Sequence, residues 1–75
     1  MTKSKLTPAQ IEVILAFAEN DMAVRRTAQA LYRSQGGLWY PFKKIREATG
    51  LDPQKFYDLI LLVQMCEEGR ADEDL

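Results

Sequence analysis

Residues 24–50 read VRRTAQALYRSQGGLWYPFKKIREATG, a pattern typical of two short helices joined by a tight turn. In the first part of this stretch, apolar residues recur at spacings of four and three, which predicts a helix over residues 23–33. The adjacent glycines Gly36 and Gly37 break this pattern and predict a turn over residues 34–38. The stretch therefore predicts an all-helical fold built around this helix pair.

The second helix of the pair contains a proline, Pro41, which restricts where the helix can begin. Inside a helix, proline removes a backbone hydrogen bond and clashes with the preceding turn, at a cost of about 3 kcal/mol. In the first turn it costs little. We therefore expect the helix to begin near Trp39–Pro41 and to end at Thr49, with Gly50 as its C-terminal cap. Its predicted apolar face consists of Leu38, Phe42 and Ile45.

Another helix is predicted before this pair. The residues TPAQ at positions 7–10 match a capping box, in which a threonine and a glutamine bond each other's backbone N–H groups. Leu6 and Ile11 have the spacing of the hydrophobic staple that accompanies such a box. The helix is expected to end near Glu19. Its predicted apolar stripe consists of Ile11, Ile14, Leu15 and Ala18.

A fourth helix is predicted after the pair. Asp52 is the expected N-cap and Pro53 the first helical residue, with Leu51 and Phe56 as a staple. Gly69 is expected to end the helix. Its predicted apolar face consists of Phe56, Leu59, Ile60 and Val63, with Leu62 and Cys66 beside it, and Tyr57 is also expected in the core.

The whole chain is expected to form one all-α, four-helix domain spanning residues 1–75, with residues 1–5 and 70–75 disordered. A chain of 75 residues buries only about 60% of the surface that it exposes when unfolded. A deep catalytic pocket is therefore not expected.

The composition excludes several classes of function. The chain has no histidine, the commonest general base and metal ligand, and one cysteine, Cys66. We expect no enzymatic activity, no metal site, no cofactor and no small-molecule substrate, and Cys66 is interpreted as a small core or interface residue. A single thiol fits a reducing compartment, and no run approaches the roughly 20 apolar residues of a membrane span. The expected location is the cytoplasm, with no membrane partner.

Charge is strongly segregated along the chain. The formal net charge is −1, but residues 25–46 carry six basic residues and no acid, whereas residues 47–75 carry two basic residues and eight acids. A local positive field can attract a polyanion even when the whole chain is slightly acidic. A solvated surface without a partner is the alternative interpretation of this charge pattern.

The basic segment coincides with the predicted helix pair, which indicates a helix-turn-helix. In that motif the second helix lies in the major groove of duplex DNA and the first crosses the phosphate backbone. We therefore predict a partner that is duplex DNA, held mainly through its phosphates. The alternative is a helix-turn-helix scaffold that binds protein instead. The predicted DNA-binding residues are Arg25, Arg26, Gln35, Trp39, Tyr40, Lys43, Lys44 and Arg46.

Two anchor strings, TAQAL at 27–31 and IREATGLD at 45–52, resemble the C-terminal helix-turn-helix of PucR-type transcription regulators, in particular small stand-alone bacterial and mobile-element versions. The likeness covers about residues 10–63. It implies a Fis-like helical fold, DNA binding, commonly as a dimer, and a role in transcription regulation.

The chain departs from that family pattern at the start of the recognition helix. Gln35, Gly36 and Gly37 stand where the family usually has Arg-Asn-Thr, and Pro41 replaces a basic residue. Glutamine can still pair with adenine, but glycine has no side chain to read a base. Weak sequence specificity is therefore expected.

Two groups of apolar residues are interpreted as interface candidates. Trp39 and Tyr40 fit either core or dimer packing or contact with DNA. The fourth helix is more apolar than three short helices can cover, which predicts a homodimer with two-fold symmetry. The predicted dimer interface consists of Ile60, Leu61, Leu62 and Met65.

Overall fold

The described part of the chain, residues 6–74, folds into four α-helices and one short 3-10 helix in this computed structural model, which confirms the all-α, four-helix class. The structure describes the backbone of residues 6–74, where no strand occurs, and the side chains of residues 6–68. The disorder expected for residues 1–5 and for Leu75 lies outside the described residues. The elements are α1 (Pro8–Glu19), α2 (Val24–Ala30), the 3-10 helix (Gly36–Leu38), α3 (Trp39–Thr49) and α4 (Phe56–Asp74).

Helix α1 begins and ends as predicted. The Gln10 N–H donates to Thr7 Oγ1 at 3.1 Å and the Thr7 N–H donates to Gln10 Oε1 at 3.0 Å, which completes the capping box. After Glu19 the chain turns through Asp21, which has a left-handed φ of 57°. The Met22 N–H then donates to the Phe17 carbonyl at 2.8 Å, the long bond of a Schellman motif.

The hydrophobic core lies around α1, which packs against each of the other three α-helices. The Phe17 ring meets the Phe42 ring of α3 with 5.0 Å between centroids. Val13 and Phe17 are fully buried, although neither belongs to the predicted stripe. A central helix with three neighbours needs a wider apolar surface than one stripe. Of the predicted stripe, Ile14 is fully buried, and Ile11, Leu15 and Ala18 are partly buried.

Helix α2 is shorter than predicted, because it ends at Ala30 and not at Arg33. Tyr32 follows the C-cap with a left-handed φ of 57°. The Arg33 N–H donates to the Ala28 carbonyl at 2.8 Å and the Tyr32 N–H to the Gln29 carbonyl at 3.2 Å. These two bonds form a second Schellman motif, so the chain leaves the helix at a residue that is not glycine.

Helix α3 begins at Trp39, which places Pro41 in its first turn as predicted. The preceding turn is not irregular, since Gly36–Leu38 forms a 3-10 helix that runs directly into α3. The Leu38 N–H donates to the Gln35 carbonyl at 3.2 Å. The backbone from Gly36 to Leu38 therefore follows a 3-10 helix, and it becomes α-helical at Trp39, two residues before Pro41. Gly50 caps the other end with φ of 76°.

The predicted start of α4 is wrong by three residues. Asp52 Oδ1 accepts the Gln54 N–H at 2.9 Å, and the Asp52 carbonyl accepts the Lys55 N–H at 3.0 Å. These bonds close a separate turn, so Asp52 caps that turn and α4 begins at Phe56. Asp58, in the first turn of α4, accepts the Asp52 N–H at 3.0 Å and fixes the turn to the helix.

The predicted end of α4 is also wrong, because the helix passes Gly69 and continues to Asp74. Segment 70–74, expected to be disordered, has a helical backbone. One glycine costs about 1 kcal/mol relative to alanine inside a helix, and most of its neighbours in the sequence EEGRADED favour helix. The glycine therefore weakens the helix without ending it.

The buried face of α4 differs from the predicted one. Leu59, Leu62 and Cys66 are buried, at spacings of three and four. Phe56 is 61% exposed and Tyr57 is 78% exposed, so the expectation that both lie in the core is wrong. The end of α1 and the turn after it share an open groove with Phe56 and the 39% exposed Ile60, so neither side chain is covered.

Candidate nucleic-acid interface

All the basic residues predicted to bind DNA have exposed side chains. Two lie on α2 and three on α3, and Arg33, also exposed, lies in the turn between them. The 3-10 helix packs against both α2 and α3 and so joins the two basic helices. The five predicted residues are Arg25, Arg26, Lys43, Lys44 and Arg46.

Burial of the opposite helix faces directs these cations outward. Thr27 and Ala28 are the buried residues of α2. The Thr27 hydroxyl donates to the Ala23 carbonyl at 2.8 Å, so this buried polar group has a hydrogen-bond partner without contact to water. Helix α3 buries Phe42 and Ile45, while Leu38 just before it is also buried. A helical repeat of 3.6 residues then leaves the intervening lysines and arginine on the solvent side.

Two of the cations form ion pairs with acids that lie just outside the basic segment. Arg26 Nη2 lies 3.4 Å from Asp21 Oδ2, and Lys44 Nζ lies 3.5 Å from Glu47 Oε1. All four side chains are largely exposed, so each pair is weak and a phosphate can compete for the cation. A count of charges along the sequence did not reveal these pairs, because one acid lies in the turn before α2 and the other lies further along α3.

The predicted aromatic residues of the interface are exposed. Trp39 is 55% exposed and its ring meets the buried Phe42 ring edge-on, with 6.3 Å between centroids. Tyr40 is 68% exposed, and Lys44 Nζ lies 5.6 Å from the centre of its ring, within cation–π range. Both residues are therefore peripheral to the core, available to a partner and partly oriented by their neighbours.

Gln35 is exposed and immediately precedes the 3-10 helix, and its side chain makes no capping bond there. The two glycines that follow have different surroundings. A Cβ atom at Gly37 would lie 3.3 Å from Ser34 Oγ, whereas a Cβ atom at Gly36 would meet nothing within 4 Å. Neither glycine has a positive φ. The fold therefore gives no internal reason for glycine at position 36.

Tyr32, in the turn that follows α2, was not predicted as a site residue, and its side chain is 97% exposed. The predicted helix continued to Arg33 and placed Tyr32 inside it. No pattern in the sequence indicates a left-handed tyrosine, because glycine or asparagine is usual at that position.

The predicted dimer interface is only partly available. Ile60 and Leu61 are 39% and 47% exposed, but Leu62 is fully buried within one chain and Met65 packs against the core. The inclusion of Leu62 is therefore wrong, because its side chain already faces α1 in the monomer core. An open apolar groove of about 410 Å³ lies beside the exposed residues. It is lined by Ala18, Asp21, Met22, Phe56, Leu59, Ile60 and Val63.

Comparison with known proteins adds no relative. No protein-family model matches the sequence, and neither a similar curated protein nor a similar solved structure was found. The PucR-type resemblance therefore stays a prediction. Among the helices of the described residues, none combines the length and the apolar character needed to cross a membrane.

Proposed function

We propose that this protein binds duplex DNA through α2, the 3-10 helix and α3, and that it acts as a helix-turn-helix transcription regulator in the cytoplasm. The proposal rests on the six exposed basic side chains between Arg25 and Arg46 and on the absence of any acid inside that segment. No catalytic step or cofactor is part of the proposal.

Phosphate contacts account best for this arrangement. Each lysine or arginine that neutralises a phosphate releases condensed counterions, which drives binding and makes it salt-dependent. Arg25 and Arg26 can contact the backbone from the first helix, and Lys43, Lys44 and Arg46 from the second. The glycines before α3 offer no side chain to a base edge, so we expect weak discrimination between DNA sequences.

An electrophoretic mobility shift with random 20-base-pair duplexes at two salt concentrations tests this proposal. The variant Lys43→Ala/Lys44→Ala should bind all duplexes more weakly and lower the steepness of the salt dependence by up to about 2 units. Lys55→Ala is the matched control, because Lys55 is also exposed but lies between α3 and α4. Wild-type affinity in the double variant would exclude these phosphate contacts. Binding that is insensitive to salt would favour the protein-binding alternative.

We further propose a homodimer through the exposed apolar side of α4, where Phe56, Ile60 and Leu61 lie close together in the sequence. Such a group of exposed apolar residues is typical of protein interfaces. A two-fold dimer would also present two copies of α3 to successive half-sites on DNA.

Light scattering at high micromolar concentration measures the dimer directly. Leu61→Glu should give a monomeric mass, because it places a charge in the apolar contact. Ala9→Glu adds the same charge at an exposed position in the first turn of α1 and should keep the dimeric mass. A monomeric mass for the wild-type protein would rule out the dimer while leaving the DNA-binding proposal to its own test.

A further inference from the structure

The segment between α2 and α3 exposes an unusual group of aromatic rings. We call residues 32–40 the aromatic turn, and within it only Leu38 is buried. Its three rings, Tyr32, Trp39 and Tyr40, are 97%, 55% and 68% exposed. Single exposed apolar residues are normal on protein surfaces, but three exposed rings within nine residues, flanked in the sequence by basic side chains, are more than the core accounts for.

Two residues of the aromatic turn contradict what the fold alone would favour. Tyr32 has a left-handed φ of 57°, where a residue with a Cβ atom is strained and glycine would be favoured. Gly36 has an ordinary backbone and open space around it, where alanine would be accepted and would stabilise the helical turn. Tyrosine at position 32 is therefore less stable than glycine would be, and glycine at position 36 is less stable than alanine would be. Neither the Tyr32 ring nor the missing side chain at Gly36 is explained by packing within the fold.

Two of the rings are held in position by neighbouring side chains. Trp39 rests edge-on against the buried Phe42, which restricts the indole while leaving half of it exposed. Tyr40 lies beside the Lys44 ammonium group, 5.6 Å from the ring centre. Rings placed next to cations are the combination that binds unpaired nucleotides, since bases stack on the rings and phosphates pair with the cations.

We propose that the aromatic turn stacks on unpaired bases, so that this surface prefers DNA containing unpaired nucleotides to fully paired DNA. The inference rests on the proposed DNA binding and specifies the form of DNA that the same site takes. In a continuous duplex the faces of each base are covered by its neighbours, so a protein ring can stack only after unstacking a base. At a bulge those faces are exposed. The bare backbone at Gly36 allows a sugar or phosphate to approach closely.

The test compares two probes that differ only in pairing: a 20-base-pair duplex of mixed sequence and the same duplex with three unpaired thymidines at its centre. Affinity is measured by the anisotropy of labelled DNA. Trp39, the only tryptophan of the chain, gives a second signal because a stacked base quenches indole emission. The wild-type protein should bind the bulged duplex at least about 5-fold more tightly, as expected for one stacked base. Its Trp39 emission should fall more strongly with the bulged than with the paired probe.

Variants at Tyr32 separate stacking from charge, because they leave both the cations and Trp39 in place. Tyr32→Leu should reduce the preference for the bulged probe, measured as the ratio of its affinity to that of the paired duplex, by about 5-fold. Tyr32→Phe keeps a ring and the same backbone strain, and should keep the preference. Gly36→Ala should raise stability yet weaken binding to the bulged probe.

The possible results distinguish base stacking by the aromatic turn from the DNA binding on which it depends. Equal affinity for the two probes, or a Tyr32→Leu variant that keeps the preference, would overturn base stacking while duplex binding stands. Failure to bind either probe at low salt would overturn the proposed DNA binding and this inference with it.

Discussion

The substitution Tyr32→Gly should stabilise the protein, even though it removes a large side chain. The left-handed conformation of Tyr32, with φ of 57°, costs a residue with a Cβ atom about 1–2 kcal/mol. Glycine avoids this strain but loses about 0.5–1 kcal/mol more conformational entropy on folding. The ring is 97% exposed, so its removal sacrifices little buried area. The expected net gain in the free energy of unfolding is about 0.75 kcal/mol, the difference between the midpoints of the two ranges.

Thermal unfolding followed by circular dichroism measures this gain. In a domain of this size, 1 kcal/mol shifts the melting temperature by about 4–8 °C, so the expected rise is about 3–6 °C. Tyr32→Ala is the matched control, because it removes the ring and keeps the Cβ atom and the strain. It should leave the melting temperature nearly unchanged. If alanine raised the melting temperature as much as glycine, or if glycine lowered it, the strain argument would be refuted.

Four further substitutions test the fold by urea unfolding at equilibrium. Gly50→Ala should destabilise by about 0.75 kcal/mol, because φ at this cap is 76° and the strain of about 1–2 kcal/mol exceeds the roughly 0.5–1 kcal/mol of backbone entropy that alanine saves; no loss would show that the left-handed cap is not required. Leu62→Ala should destabilise by about 2–5 kcal/mol and Leu61→Ala by clearly less, since Leu62 is fully buried and Leu61 is 47% exposed; equal losses would contradict the assigned face of α4. Thr7→Ala should destabilise by about 1 kcal/mol by removing the capping box, and an unchanged midpoint would show that the box adds nothing.

Features controlled by a few neighbouring residues were predictable from the sequence. The capping box of α1 depends on Thr7 and Gln10, only three residues apart, and it formed as expected. Pro41 restricted the start of α3 through the geometry of its own ring, and Gly50 ended that helix in the expected left-handed conformation. In each of these places the local chemistry favours one conformation strongly, so tertiary packing did not override it.

Features that depend on distant contacts were not predictable in this way. Asp52 has the residue type of a helix cap, but it caps a separate turn that Asp58 stabilises from six residues away. Phe56 has the spacing of a core residue but is 61% exposed, because an open groove separates it from the end of α1. For the candidate site, the exposed cations followed from the pattern of charges, but the two ion pairs and the left-handed Tyr32 depend on how the turns close.

The salt dependence of duplex binding is the most direct test of the proposed phosphate contacts. Six basic side chains are exposed between Arg25 and Arg46, and among the described residues four of them form no ion pair. At about 0.9 counterions per phosphate, a plot of log K against log salt concentration should have a slope between about −3.6 and −5.4. The affinity of the wild-type protein for a random duplex should therefore fall by about 150-fold to 1,800-fold between 50 mM and 200 mM salt. A slope near zero, or no binding at 50 mM salt, would contradict the account.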